Sequence, residues 1–273
     1  MERTVTVNGV ERHLGLLPTP LETIARMSDS GLLVLPHRLK AKPKADFEDV
    51  SCAHFWKYRK DQSSTSMCTG FSAAHVTSTA YAKAGFDIDI SPAAIYAPIC
   101  GGRDGGASMG DALEALQKYG AFRSGYKGIG DHDWRTAYRT KFWQSSTSEV
   151  AIEAGKLRIL ESAFLGADVD PWLAHLDSGE WSGPVGMGAG NNFEPDDNGS
   201  LPAWNGTGIN HALFATGGMR HHPKKGHREV EGGNSWRNWG SLNGLFYFDP
   251  YDWLRHRGQE LWLVRALTIP LEV

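Results

Sequence analysis

The stretch Gln62-Ser-Ser-Thr-Ser-Met-Cys68-Thr-Gly-Phe-Ser-Ala-Ala-His75 sets a thiol where a turn gives way to a helix. The residues ahead of Cys68 are small, polar and turn-forming, while Thr69 to Tyr81 read as one helix with Phe71, Ala74 and Val76 near one face. Cys68 therefore falls in the first helical turn, where unpaired backbone N–H groups and the positive end of the helix dipole favour an anion. A thiol so placed has a lowered pKa and is the better nucleophile at neutral pH. A lone cysteine is more often a small buried apolar group, so the rest of the chain must supply a catalytic setting.

Thiol catalysis needs a base, a group that orients the base, and donors for the oxyanion. His211, at the head of a strand pattern, supplies the first. Asn234, ahead of Ser-Trp, supplies the second. Gln62, on the turn before the thiol, supplies a side-chain amide beside the Cys68 N–H.

The bulk numbers narrow the class. The 273 residues allow one large domain or two modest ones. A net charge of −3 gives no electrostatic case for nucleic acid or an anionic membrane surface. Ten Trp and 32 Gly point to tight turns and aromatic packing. No apolar run reaches the roughly 18 residues of a membrane span, and Met1-Glu-Arg-Thr-Val-Thr-Val lacks a signal-peptide core. Cys52, Cys68 and Cys100 are too few and too odd in number for a disulfide framework, and they lack zinc-site spacing. The expectation is a cytoplasmic or virion-associated protein that needs no cofactor.

Along the chain, residues 1–12 read as strand and turn, and 18–31 as a helix with Thr19 as N-cap and Pro20 at N1. Residues 36–46 read as a basic loop. Ser91 caps a short helix, Cys100 to Gly106 form a glycine loop, and Ser108 caps a helix from Met109 to Tyr119. Helices are expected at 149–165 and 170–177. Strands are expected at 184–190, 211–218, 245–248 and 261–269, with His221, His222 and His227 on an exposed basic hairpin tip. Helices crowd the first half and strands the second, which predicts an α+β protein of two lobes with a cleft between them.

Four boxes in order complete the reading. They are Gln62 through Cys68-Thr-Gly-Phe-Ser, the loop and helix from Asp104-Gly-Gly-Ala-Ser-Met, Gly208-Ile-Asn-His211-Ala-Leu, and Asn234-Ser-Trp236 through Trp239-Gly240. Together with the strand Gly183-Pro-Val-Gly-Met they resemble the papain family of cysteine peptidases. The tail Pro250-Tyr-Asp-Trp-Leu through Leu261-Trp-Leu-Val-Arg is similar to tails of bacterial and phage-like members. The resemblance implies a papain-like two-lobed fold: a helical first lobe, an antiparallel β-barrel-like second lobe, and the active-site cleft between. Residues 1–34 would be a short extension and 35–273 the peptidase domain, with lobes at about 50–130 and 131–273.

The resemblance also implies roles. Cys68 would be the nucleophile, a thiolate against protonated His211, with Asn234 orienting the imidazole and Gln62 completing the oxyanion hole. Gly105 and Gly106 would hold an extended peptide or protein substrate, with Asn210 and Trp236 beside it. The sequence departs from the family at Thr69, where an aromatic is usual. It departs at Thr65, which leaves Cys100 without its usual disulfide partner, and at Arg237 and Asn210. Residues 1–34 are shorter than the family's inhibitory propeptide, so zymogen control of that kind is not expected. The alternatives are a weakly active or inactive papain-fold component of a larger assembly such as a phage particle, and a thiol amidase acting on cell-wall peptides.

Overall fold

The structure is a computed structural model that describes residues 3–7, 9–34, 48–159, 161–179, 181–190, 193–204, 208–236, 238–254 and 260–265. The basic segment 36–46 lies outside the described residues.

Strands β1 (Arg3–Val7) and β2 (Val10–Leu14) form an antiparallel hairpin, and a two-residue strand β3 (Leu16–Leu17) follows. Helix α1 spans Leu21–Asp29. Its N-cap position is Pro20 and not Thr19, because the Thr19 side chain is engaged elsewhere. Helix α2 (Cys68–Lys83) is buried on every side from Cys68 to Tyr81, so it has no polar face and serves as the central post of the molecule. Helix α3 (Pro92–Tyr96) is capped by Ser91, whose hydroxyl accepts the Ala94 N–H. A two-residue strand β4 (Ala107–Ser108) leads into helix α4 (Met109–Lys118), capped by Ser108 through the Asp111 N–H. Helices α5 (Trp134–Thr140) and α6 (Glu149–Gly155) complete the helical half.

The helix expected across 149–165 stops at Gly155, and its second half is strand β5 (Glu161–Gly166). Pairing decides this segment: Glu161 to Phe164 align with Arg265 to Trp262, and a whole antiparallel ladder outweighs helical spacing. Helix α7 (Val169–Asp177) and strands β6 (Gly183–Met187), β7 (His211–His221), β8 (Arg228–Gly233) and β9 (Leu245–Phe248) follow. A four-residue helix α8 (Pro250–Trp253) precedes the last described strand, β10 (Glu260–Arg265).

Six strands make one sheet in the order β5-β10-β6-β7-β8-β9. Among the described residues β5 and β9 are the end strands of this sheet and do not pair with each other, so the described strands do not close into a barrel. Side chains alternate across the sheet. Ala212, Phe214, Trp262 and Val264 join the core built around α2, α3 and α4. Leu213, Ala215, Leu261 and Leu263 join a second core with Trp172, Trp236, Trp239 and Trp253. The N-terminus of α2 and the start of β7 meet at the same end of this arrangement, and that meeting places Cys68 beside the His211 segment. Among the described residues no helix is long and apolar enough to cross a membrane.

Candidate active site

Cys68 is the first residue of α2 and is fully buried. Backbone N–H groups of Ala212 and Gly15 point at its sulfur. Ala212 is the residue after His211, so the thiol lies beside the head of β7.

His211 is also fully buried. Its Nε2 lies 2.9 Å from Asn234 Oδ1. An amide oxygen only accepts, so Nε2 carries the proton and Nδ1 keeps a lone pair. That Nδ1 is buried and has no hydrogen-bond partner among the described residues. Trp236 stacks on the imidazole at 4.4 Å between ring centres, tilted by 22°. Trp236 is itself completely buried beside the His211–Asn234 bond, with the Arg12 guanidinium 5.6 Å from its ring centre.

Gln62 is held from both sides. Its Oε1 accepts the Ser235 hydroxyl at 2.6 Å, and its backbone N–H donates to the Ser235 carbonyl at 2.8 Å. This leaves the amide NH2 pointing away, where it donates to the carbonyls of Thr65 and His13, each at 3.0 Å. Ser235 was not singled out in the sequence, although its place directly after Asn234 was the available signal.

The glycine loop is tied down by side chains. Asp104 accepts the Ser66 N–H at 3.0 Å and the Tyr96 hydroxyl at 3.3 Å, and Tyr96 in turn accepts the Gly106 N–H at 3.0 Å. Gly105 is exposed and Gly106 buried. Thr69, in place of an aromatic, donates its hydroxyl to the Ala107 carbonyl at 2.9 Å and so fastens α2 to β4. Asn210 does not reach toward the thiol. Its side chain is turned onto Ala189, accepting that N–H at 2.8 Å and donating to that carbonyl at 3.0 Å.

The groove at the thiol is filled by the chain's own N-terminal segment, which sequence reasoning treated as an extension. Gly15 has its N–H near enough to the thiol to lower its pKa and gives its carbonyl to the Ala107 N–H at 2.8 Å. Leu16 donates its N–H to the Asn210 carbonyl at 3.1 Å, so the segment is hydrogen-bonded to both walls. β3 runs parallel to β4 through Leu16–Ala107 and Leu17–Ser108. The passage is tight: a methyl group added at Gly15 would sit 1.8 Å from the Ser66 carbonyl oxygen, and one at Gly106 would sit 2.2 Å from the Gly15 oxygen. Two open hollows of about 390 and 360 Å³ lie elsewhere, beside α4 near Arg26 and near Trp143.

Burial sets the protonation states in this covered site. It pushes the Cys68 thiol up, against the pull of the Ala212 and Gly15 N–H groups. It pushes His211 down to about 4, against the bond to Asn234. Both directions favour the uncharged form of each group while the groove is filled. The other two thiols, Cys52 and Cys100, are free and buried, and burial raises both.

One set of side chains has metal-ligand spacing, His222, His227 and Glu229. His222 Nδ1 already accepts the N–H groups of Lys224 and Lys225, at 3.0 and 3.1 Å. Glu229 already holds Arg220 at 2.9 Å. These bonds tie His222 Nδ1 and Glu229 into the hairpin.

Compared with protein families and with curated proteins, the sequence matches none. Compared with solved structures, it matches cysteine proteases. It is similar to xylellain, a cysteine protease from Xylella fastidiosa, with a TM-score of 0.62 and 18% identity over 98% of this chain and 99% of that one. It is similar to the digestive procathepsin L 3 of the Tenebrio molitor larval midgut, with a TM-score of 0.63 and 16% identity over 86% of this chain and 74% of that one. The bromelain protease from Ananas comosus gives 0.57 and 14%, over 80% and 99%. The chain shares the fold of these solved cysteine proteases.

Proposed function

We propose that the protein is a cysteine-type peptidase that hydrolyses peptide bonds through an acyl-enzyme. The observation that carries this reading is His211, whose lone pair is fixed at Nδ1 by Asn234 beside the thiol segment.

With the groove vacated, water enters and the burial that keeps both groups neutral is relieved. Cys68 passes its proton to His211 Nδ1, and the resulting ion pair is mutually stabilising. The sulfur attacks the substrate carbonyl, and the oxygen that becomes negative takes hydrogen bonds from the Cys68 N–H and from Gln62 Nε2, whose bond to the His13 carbonyl must open as the groove is vacated. One such donor is worth about 3–4 kcal/mol. The C–N bond breaks as His211 returns its proton to the leaving amine. Water, deprotonated by His211, then releases the acyl group and restores the thiol.

The test is Cys68→Ala assayed against a peptide library. Loss of all cleavage, with the fold kept, supports the reading; undiminished cleavage ends it. A second reading, a papain-fold component used without catalysis, is favoured by the filled groove and the raised thiol. It predicts no cleavage even when the groove is emptied.

A further inference from the structure

Asp104 and Tyr96 touch no reacting atom, yet they tie the thiol-bearing turn to the wall of the groove. Oδ1 of Asp104 accepts the N–H of Ser66, two residues before the thiol, at 3.0 Å, and the Tyr96 hydroxyl at 3.3 Å. The Tyr96 oxygen in turn accepts the Gly106 N–H at 3.0 Å. Tyr96 is fully buried on α3, and burial with the nearby Asp104 pushes its hydroxyl up, so it stays a donor. These bonds form a strut from the turn at Ser66 through the glycine loop to Gly106. Cys52, Cys68 and Cys100 are all free, so no disulfide shares the task.

The chain that lies in the groove reveals which donor of the wall faces it. The Gly106 N–H is turned inward to Tyr96. The next N–H, that of Ala107, is turned to the groove and donates to the Gly15 carbonyl at 2.8 Å. Gly106 has a φ of +83°, so the bend that sends these two N–H groups apart is one that glycine takes without strain. Ala107 is fixed from α2 as well, since its carbonyl accepts the Thr69 hydroxyl at 2.9 Å.

We infer that the Ala107 N–H is the donor that holds the backbone of an extended peptide substrate, and that Asp104 and Tyr96 are positioning residues that aim it. The substrate role rests on the peptidase reading above; the strut itself does not. The assignment takes the place of Gly105 and Gly106 as the backbone clamp. A peptide lying where Gly15 lies presents one main-chain carbonyl to Ala107. Tyr96→Phe keeps the ring and its packing but leaves the buried Gly106 N–H without an acceptor, which is costly. The Gly106 backbone then turns to find one and takes the Ala107 N–H with it. Asp104→Ala releases Ser66 and the Tyr96 hydroxyl together, whereas Asp104→Asn keeps an accepting oxygen.

The experiment measures kcat/KM of the full chain for a cleaved peptide and for a series in which each amide except the scissile one is replaced in turn by an alkene. The alkene has no carbonyl oxygen. Every substrate competes with the same N-terminal segment, and the ratio of two kcat/KM values does not depend on how much enzyme is folded. In the wild type, replacement at one position should cost about tenfold, the worth of one hydrogen bond. In Tyr96→Phe and Asp104→Ala that cost should shrink to about twofold, and Asp104→Asn should keep it. A purely structural role lowers all substrates alike, so an unchanged ratio in both variants overturns the assignment. So does a wild type indifferent to every replacement. Amide exchange reads the strut without catalysis: the Ala107 amide should exchange faster in both variants, although its partner Gly15 is untouched. Exchange at the wild-type rate overturns the strut. Faster exchange, with no peptide cleaved by the wild type, leaves the strut standing and sinks the peptidase.

Discussion

His211 Nε2 meets Asn234 Oδ1 at 2.9 Å, and this one bond decides which imidazole nitrogen is free to take a proton. Asn234→Ala should release the ring to turn and to change tautomer. The kcat for peptide cleavage should fall about a hundredfold, within the usual worth of a positioned base. An unchanged kcat would mean that the ring is held by Trp236 alone.

The Ser235 hydroxyl does for Gln62 what Asn234 does for His211. Gln62→Ala should lower kcat by a factor of about 10²–10³ with little change in KM. Ser235→Ala leaves the donor present but free to rotate, so it should cost less than Gln62→Ala, also in kcat. Steady-state kinetics on the two variants checks the order.

Much of this site was legible in the chain because its parts are local. Cys68 follows a run of turn residues, and Ser91 and Ser108 announce their helices within three residues. What was not legible depends on distant pairing. Nothing local distinguishes Glu161 to Gly166 from the end of a helix; the ladder with β10 does. Gly15-Leu-Leu-Pro carries no polar group that marks a site, and its place over the thiol follows from Ala107, Asn210 and Glu260, all far along the chain. Thr19 reads as an N-cap by every local rule, and the partner that overrides the rule lies in the last described strand.

Two buried imidazoles make the fold acid-sensitive. Burial pushes His75, packed among Trp56, Phe71 and Phe214, down to about 3, and His211 down to about 4. Each is lower folded than unfolded, so the unfolded chain binds the extra protons. Stability is therefore full above about pH 6.5 and declines as pH falls toward the folded values. Each group contributes a slope of about 1.4 kcal/mol per pH unit within that window. Urea melts between pH 7 and pH 4 should show the decline, and His75→Gln should flatten it; equal slopes would assign it to other groups.

Thr69→Val tests the tie between α2 and β4. The swap keeps the shape and removes the bond to the Ala107 carbonyl, so it should lower stability by about 1 kcal/mol. Because Ala107 forms a wall of the groove, KM should rise more than kcat falls. The reverse split would place Thr69 in the chemistry instead.

Thr19 and Glu260 lie 241 positions apart. During synthesis the first emerges long before the second, and domains begin to fold from the end made first. Until β10 leaves the ribosome, Thr19 has no carboxylate to accept its N–H and hydroxyl, so these bonds form only as the sheet is completed. For this molecule, fixing the residue that precedes the first helix and adding the last described strand are one event.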